Sequence, residues 1–182
     1  MTFGSYHNIR YGSDHLSCRF VYNVEVIMTN TKPHGVSINT TAGSLSASET
    51  IPASPQKTWN LITAHHQIKE WWGNYVSIEP HPGGNFEELW TDKDGQLQRA
   101  TGTVTEIAQP HLLAFTWKET KWDYETHVHL RLSELGQETL IQVVHNGWPD
   151  EKTEQMRNDV ARLYYGWRSF LRKLKEHVND PK

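Results

Sequence analysis

Apolar and polar residues alternate along most of the chain between Gly43 and His145, and then the spacing changes to three and four. Leu45, Ala47, Glu49 and Ile51 alternate with Ser and Thr, which predicts a strand over about 44–51. Ser54-Pro55 then has the form of a helix start, a side-chain oxygen for the free N–H groups followed by a residue that fits the first helical position. That helix carries Trp59, Leu61 and Ile62, and a second short helix over 65–71 ends before Gly73. Six strands follow. Val76 to Glu79 is short and closes at His81-Pro82-Gly83-Gly84. Phe86, Glu88 and Trp90 share one face of the next strand, and Asp92-Lys93-Asp94-Gly95 is a hairpin signal. Leu97 to Ala108 is long and ends at Gln109-Pro110, Leu113, Phe115 and Trp117 alternate next, and Lys118 to Lys121 turns the chain. Trp122, Tyr124, Thr126, Val128, Leu130 and Leu132 predict a strand with one buried face, opposite Asp123, Glu125, His127, His129 and Arg131. Thr139, Ile141, Val143 and His145 form one face of the last strand.

Met156, Val160, Leu163, Trp167, Phe170, Leu174 and His177 then recur at three and four, widened by Tyr164, Leu171 and Val178. This predicts a long amphipathic helix whose polar face carries Arg157, Arg162, Arg168, Arg172 and Lys175, with Asp150 as its N-cap. So long an apolar stripe needs a broad platform, and the sheet is the only candidate. The order is strand, two short helices, six strands, long helix, with no βαβ rhythm. The expected fold is α+β, a curved antiparallel sheet wrapped around the C-terminal helix, with two short helices after the first strand. Large rings beside small residues such as Ala100 and Gly102 leave space between helix and sheet, the default place for a ligand.

Residues 1–40 read differently. They are rich in Ser, Thr, Asn and Gly, with one strand-like run over 18–28. They are an N-terminal extension, read as an extra edge strand, a partner-binding arm or a disordered tail, ahead of a domain over 41–180. Met1 to Arg10 lacks the apolar run of a signal peptide, so the acceptor spacing at Asn39-Thr40-Thr41 is read as chance. A single cysteine, Cys18, excludes an internal disulfide and fits a cytoplasmic protein. The net charge of -3 gives no reason to expect a nucleic acid, and no stretch is long enough to span a membrane.

Eight tryptophans are many for 182 residues, and each indole N–H wants a partner. Trp71 and Trp72 on a short helix, with Trp90, Trp117, Trp122, Tyr124, Tyr164 and Trp167 on inferred inner faces, would build a pocket for a planar or greasy ligand or, equally, an ordinary core. Glu88 and His145 stand out as polar residues on apolar faces. A buried carboxylate needs a partner or a proton. Glu88 with His145 or Tyr124 would therefore suit acid–base chemistry on a bound carbonyl compound, or else Glu88 meets water and His145 bonds a loop. His127 and His129 have chelating spacing but fall on the outer face, so no metal is expected, and no motif calls for a cofactor.

Several pieces of this sequence resemble the START-like helix-grip (SRPBCC) superfamily, and more narrowly its Hsp90-ATPase-activator and polyketide-cyclase-like branch. They are Ile51-Pro52-Ala53 with Trp59, Ile68-Lys69-Glu70-Trp71-Trp72, Pro82-Gly83-Gly84 with Phe86, Gly102-Thr103-Val104 before Pro110-His111, Phe115-Thr116-Trp117, and His145-Asn146-Gly147-Trp148 before the long helix. The resemblance covers about 44–178. It implies an inner cavity open toward the short helices and nearby hairpins, and packing of two copies as a homodimer. It does not choose a function, because this scaffold serves ligand carriers, cyclases, hydrolases and chaperone regulators. The leading expectation is binding of a small hydrophobic or aromatic molecule. The alternatives are a cyclase- or hydrolase-like enzyme using Glu88 and His145, and a protein-interaction or chaperone-regulating module.

Overall fold

The computed structural model describes residues 44–73, 75–92, 94–149 and 153–180. The strand-like run over 18–28, Cys18, Asn39 and the expected cap Asp150 lie outside them. Seven strands and three helices are formed: β1 (Ser44–Ile51), α1 (Pro55–Thr63), α2 (His65–Trp71), β2 (Val76–Ile78), β3 (Asn85–Thr91), β4 (Leu97–Ala108), β5 (Leu112–Glu119), β6 (Thr126–Leu135), β7 (Glu138–Asn146) and α3 (Glu154–Asn179). The strands make one antiparallel sheet in the order β1-β7-β6-β5-β4-β3-β2. The first strand thus pairs with the last, and α1 and α2 carry the chain from one edge of the sheet to the other. This is the expected α+β helix-grip architecture.

Local chemistry sets the element ends. Ser54 Oγ accepts the N–H of Lys57 at 3.3 Å, with Pro55 opening α1. At α3 the cap is Thr153, whose Oγ1 accepts the N–H of Met156 at 3.1 Å, so Thr153 takes the role expected of Asp150. Two strand boundaries differ from expectation. β5 continues past Trp117 to Glu119, and β6 begins at Thr126 rather than Trp122. The reason is a turn: the Trp122 N–H closes on the Glu119 carbonyl at 2.9 Å, and pairing with β5 starts only at the Trp117–Thr126 pair. Trp122 and Tyr124 still stack on each other, 4.9 Å between ring centroids, although the chain bends at Asp123 and Tyr124 and forms no strand there.

The sheet bends where β4 crosses β5. The register shifts between Val104 and Glu106, and a Cβ on Gly102 would collide with the Thr116 carbonyl, so only glycine allows this approach. Against the inner face lies α3, about 39 Å long at 1.5 Å per residue. Its C-terminal half is held tightly. Leu171 and Leu174 are fully buried, and Lys175 Nζ meets Glu49 Oε1 on β1 at 2.8 Å. Each buried leucine contributes about 1.5–3 kcal/mol by transfer alone. Along the N-terminal half, from Gln155 to Phe170, the helix instead walls an open space.

Candidate functional site

That space is a cavity of about 830 Å³ between the inner face of β3–β5 and α3. Five of the eight indoles line it: Trp72, Trp90, Trp117, Trp122 and Trp167. Phe170 closes one side, 4.6 Å between ring centroids from Trp72 and 5.4 Å from Trp167. Beneath them Phe86 stacks on Phe115 at 4.5 Å and contacts Trp117 at 5.1 Å, so the floor of the cavity is rigid aromatic core. Gly166 supplies part of the helical wall, and a Cβ there would meet nothing within 4 Å. Neither backbone conformation nor packing requires this glycine. What its missing side chain provides is space.

Glu88 is the polar residue that the strand pattern placed on this face, and it does line the cavity. Its Oε1 accepts the Trp72 indole N–H at 3.2 Å, and among the described residues it forms no ion pair. Burial pushes its carboxyl up to about 7; the Trp72 hydrogen bond opposes the rise, Glu119 adds to it, and Lys173 and Arg162 oppose it from α3. Glu88 and Glu119 are both in register with Ala100, one on each neighbouring strand. They therefore sit two strand spacings apart, roughly 10 Å between Cα atoms, with only a methyl group between them.

Glu119 has a cation of its own. Arg162 Nη2 lies 2.7 Å from each of its carboxylate oxygens and 3.4 Å from Asp159 Oδ1. Burial raises the Glu119 carboxyl, and the Arg162 hydrogen bonds and charge pull against that. Asp159 also accepts from Trp122 Nε1 at 3.3 Å and Gln155 Nε2 at 3.2 Å, tying the 120–125 turn to the start of α3. The Arg162 guanidinium lies 5.6 Å from the centre of the Trp90 ring, a cation over an indole. Among the described residues the buried Trp117 N–H has no partner in hydrogen-bonding geometry, although it lies near enough to Glu119 to favour that carboxylate weakly. Sequence reasoning missed Glu119, Asp159, Arg162 and Gly166. The signal was there for Glu119, which is in phase with Leu113, Phe115 and Trp117, and for Asp159, three residues after Met156 and four before Leu163 on the buried stripe.

The other expected site residues are elsewhere. The structure does not bring His145 to Glu88: they lie four strand spacings apart in sheet order, roughly 19 Å along a flat sheet. His145 is fully buried with both ring nitrogens engaged. Trp167 Nε1 lies 3.1 Å from Nδ1 and Thr126 Oγ1 2.7 Å from Nε2. Burial pushes it down to about 3, so the ring is neutral. Tyr124 stacks on Trp122 at 4.9 Å, outside the cavity lining, and burial with the nearby Asp159, Glu119 and Asp123 carboxylates pushes its hydroxyl up to about 12. Trp71 is core: its N–H donates to the Leu61 carbonyl at 3.0 Å, and its ring packs on Phe170. Tyr164 packs against Tyr165 and under Arg168 rather than facing the cavity. His127 is exposed on the outer face of β6 with His129 beside it, and no group of three or more metal-ligating side chains occurs among the described residues.

A seven-stranded antiparallel sheet closed by a long C-terminal helix, with a lined space between, defines a helix-grip protein of the SRPBCC superfamily. Within it, residues 52–179 match the model of the Activator of Hsp90 ATPase homolog 1-like proteins, and the chain belongs to that family. Solved structures agree in fold. A protein from Rhodobacter sphaeroides is 22% identical with a TM-score of 0.64, covering 80% of this chain and 99% of its own. CalU16 from Micromonospora echinospora is 22% identical with a TM-score of 0.60, covering 83% and 88%. The Aha1 protein from Colwellia psychrerythraea, solved in solution as a dimer, is 21% identical with a TM-score of 0.61, covering 76% and 98%. No curated protein matches the chain. Among the described residues no helix is long and apolar enough to cross a membrane.

Proposed function

We propose that this protein binds a small hydrophobic or aromatic molecule in the cavity between the sheet and α3. The observation that carries the reading is the wall itself: a space of about 830 Å³ lined by five indoles together with carboxylates. Its size is that of an ordinary small-molecule site, and rings placed around a ligand add about 0.5–1.5 kcal/mol per good pair beyond burial of area. Gly166 supports the same reading, since a helix interior loses about 0.5–1 kcal/mol by carrying glycine and nothing else here calls for one. The test is native purification followed by mass spectrometry of the released small molecules, with displacement read by tryptophan fluorescence. A stoichiometric aromatic or apolar compound, or saturable quenching by added aromatics, is expected. An empty protein whose fluorescence no aromatic compound perturbs would contradict the proposal.

One observation favours a second reading. Glu88 holds a carboxyl near 7 inside the cavity, the range a general acid or base needs at neutral pH. An enzyme built on it would be cyclase- or hydrolase-like with Glu88 acting without His145, whose nitrogens are committed. In that case Glu88→Gln abolishes turnover and leaves ligand binding intact.

A further inference from the structure

We infer that the ligand of this cavity is an organic cation: an aromatic or apolar body bearing a protonated amine, the amine on the Glu88 carboxylate and the body against Trp72, Trp90 and Trp117. The inference rests on the proposed binding role and names the chemistry of the ligand.

It follows from how the charges of the lining are already spent. Five carboxylates and two cations face the cavity. Arg162 is taken by Glu119 and Asp159 together, and the second cation, Lys121, acts on Asp92. Asp92 is occupied by its own hairpin, accepting the N–H groups of Asp94 at 3.0 Å and Gln96 at 2.9 Å and the Gln98 amide at 2.7 Å. Among the described residues Glu88 is left with one indole N–H and no ion-paired cation. Against a neutral ligand the ionised carboxylate would be shut further from water and would have to take up a proton, and an anion would be repelled. An ammonium group supplies the missing charge with hydrogen bonds that are strong because both partners are ionised. The indoles favour the same ligand, because their ring faces attract cations. Trp90 is two residues from Glu88 on the same strand face and already carries the Arg162 guanidinium at 5.6 Å. Glu88 itself lines the cavity, so an amine bound there can reach its carboxylate.

Protons should compete with the amine. The groups acting on Glu88 are Trp72 from α2, Glu119 from β5, and Lys173 and Arg162 from α3. Below about 7 the carboxyl holds a proton that the amine must displace, so affinity rises with pH up to that point. It then levels off while an alkylamine stays charged, up to about pH 10. A ligand that instead accepted a hydrogen bond from protonated Glu88 would weaken as pH rose.

Isothermal titration of the full chain with naphthylethylamine, naphthylethanol and naphthylacetate separates these cases with one ring system. At pH 7.5 the amine should bind about tenfold or more tighter than the alcohol, with the acetate weakest. Glu88→Gln should bring the amine to the level of the alcohol while the alcohol is unchanged. Equal binding of amine and alcohol, tightest binding of the acetate, or an amine affinity indifferent to Glu88→Gln would overturn the cation assignment and leave the cavity standing as an apolar site. Failure of all three probes to bind would remove both.

Discussion

The indole N–H of Trp167 on α3 donates to Nδ1 of His145 on β7 at 3.1 Å, and that bond decides which ring nitrogen carries the proton. Since an indole can only donate, Nδ1 accepts and Nε2–H donates to Thr126 Oγ1, which in turn donates to the Trp117 carbonyl at 3.0 Å. A helix, and three adjacent strands, are joined by one chain of hydrogen bonds running from Trp167 to Trp117. The two tryptophans at its ends, one joined through its indole N–H and the other through its backbone carbonyl, also line the cavity. His145 therefore positions the wall of the site from behind it.

This arrangement makes stability depend on pH in two opposed ways. Unfolded histidine takes a proton near 6.5 and the buried ring not until about 3, so the fold loses stability as pH falls from 6.5 toward 3. Glu88 does the reverse. Its folded carboxyl keeps a proton up to about 7 and the unfolded one only to 4.5, so its contribution is fully present below 4.5 and is lost as pH rises through 7. Between 4.5 and 6.5 the two slopes oppose each other. Glu88→Gln should therefore show a steady loss of stability on acidification through that window where the parent is flatter, and should be more stable than the parent at pH 8 by about 1–3 kcal/mol. Urea denaturation at several pH values measures both, and parallel profiles for the two proteins would contradict the assignment.

Gly166→Ala should raise stability by about 0.5–1 kcal/mol, because a Cβ meets nothing and the helix gains a better former. Gly166→Leu should fold as well but bind naphthylethanol more weakly, its side chain occupying the space the ligand needs. Thermal melts and titration calorimetry test the pair, and unchanged affinity in the leucine variant would show that this part of the wall is not used.

Arg162→Met should destabilise the protein by about 1–3 kcal/mol, less than for a fully buried pair because the guanidinium is partly exposed. The loss comes from stranding Glu119 and Asp159 without their shared cation. Adding Glu119→Gln and Asp159→Asn should restore most of it. A triple variant no more stable than Arg162→Met alone would mean that the arginine acts through packing on Trp90 instead.

Most of the fold was legible because alternation and three-four spacing report burial directly. Ser44–Ile51 and His65–Trp71 match the expected spans, and the stripe from Met156 to Val178 falls within α3. The site was legible only in part. Glu88 stood out as a carboxylate between Phe86 and Trp90; Trp90, Trp117, Trp122 and Trp167 were named from their inferred inner faces, and Trp72 was named with Trp71 from the short helix. Parity cannot say which strands neighbour which, so it coupled Glu88 to His145, whereas the sheet order separates them and registers Glu88 with Glu119 across Ala100. It also cannot tell a helix face that meets solvent from one that meets a cavity. Arg162 was read as part of the polar face for that reason.

That the cavity receives a ligand is tested most directly by the eight indole N–H resonances. In a two-dimensional nitrogen–proton spectrum, assigned by single Trp→Phe variants, naphthylethylamine should shift Trp72, Trp90, Trp117, Trp122 and Trp167 while leaving Trp59, Trp71 and Trp148 in place. Shifts confined to the latter three, or no shifts at saturating probe, would contradict it.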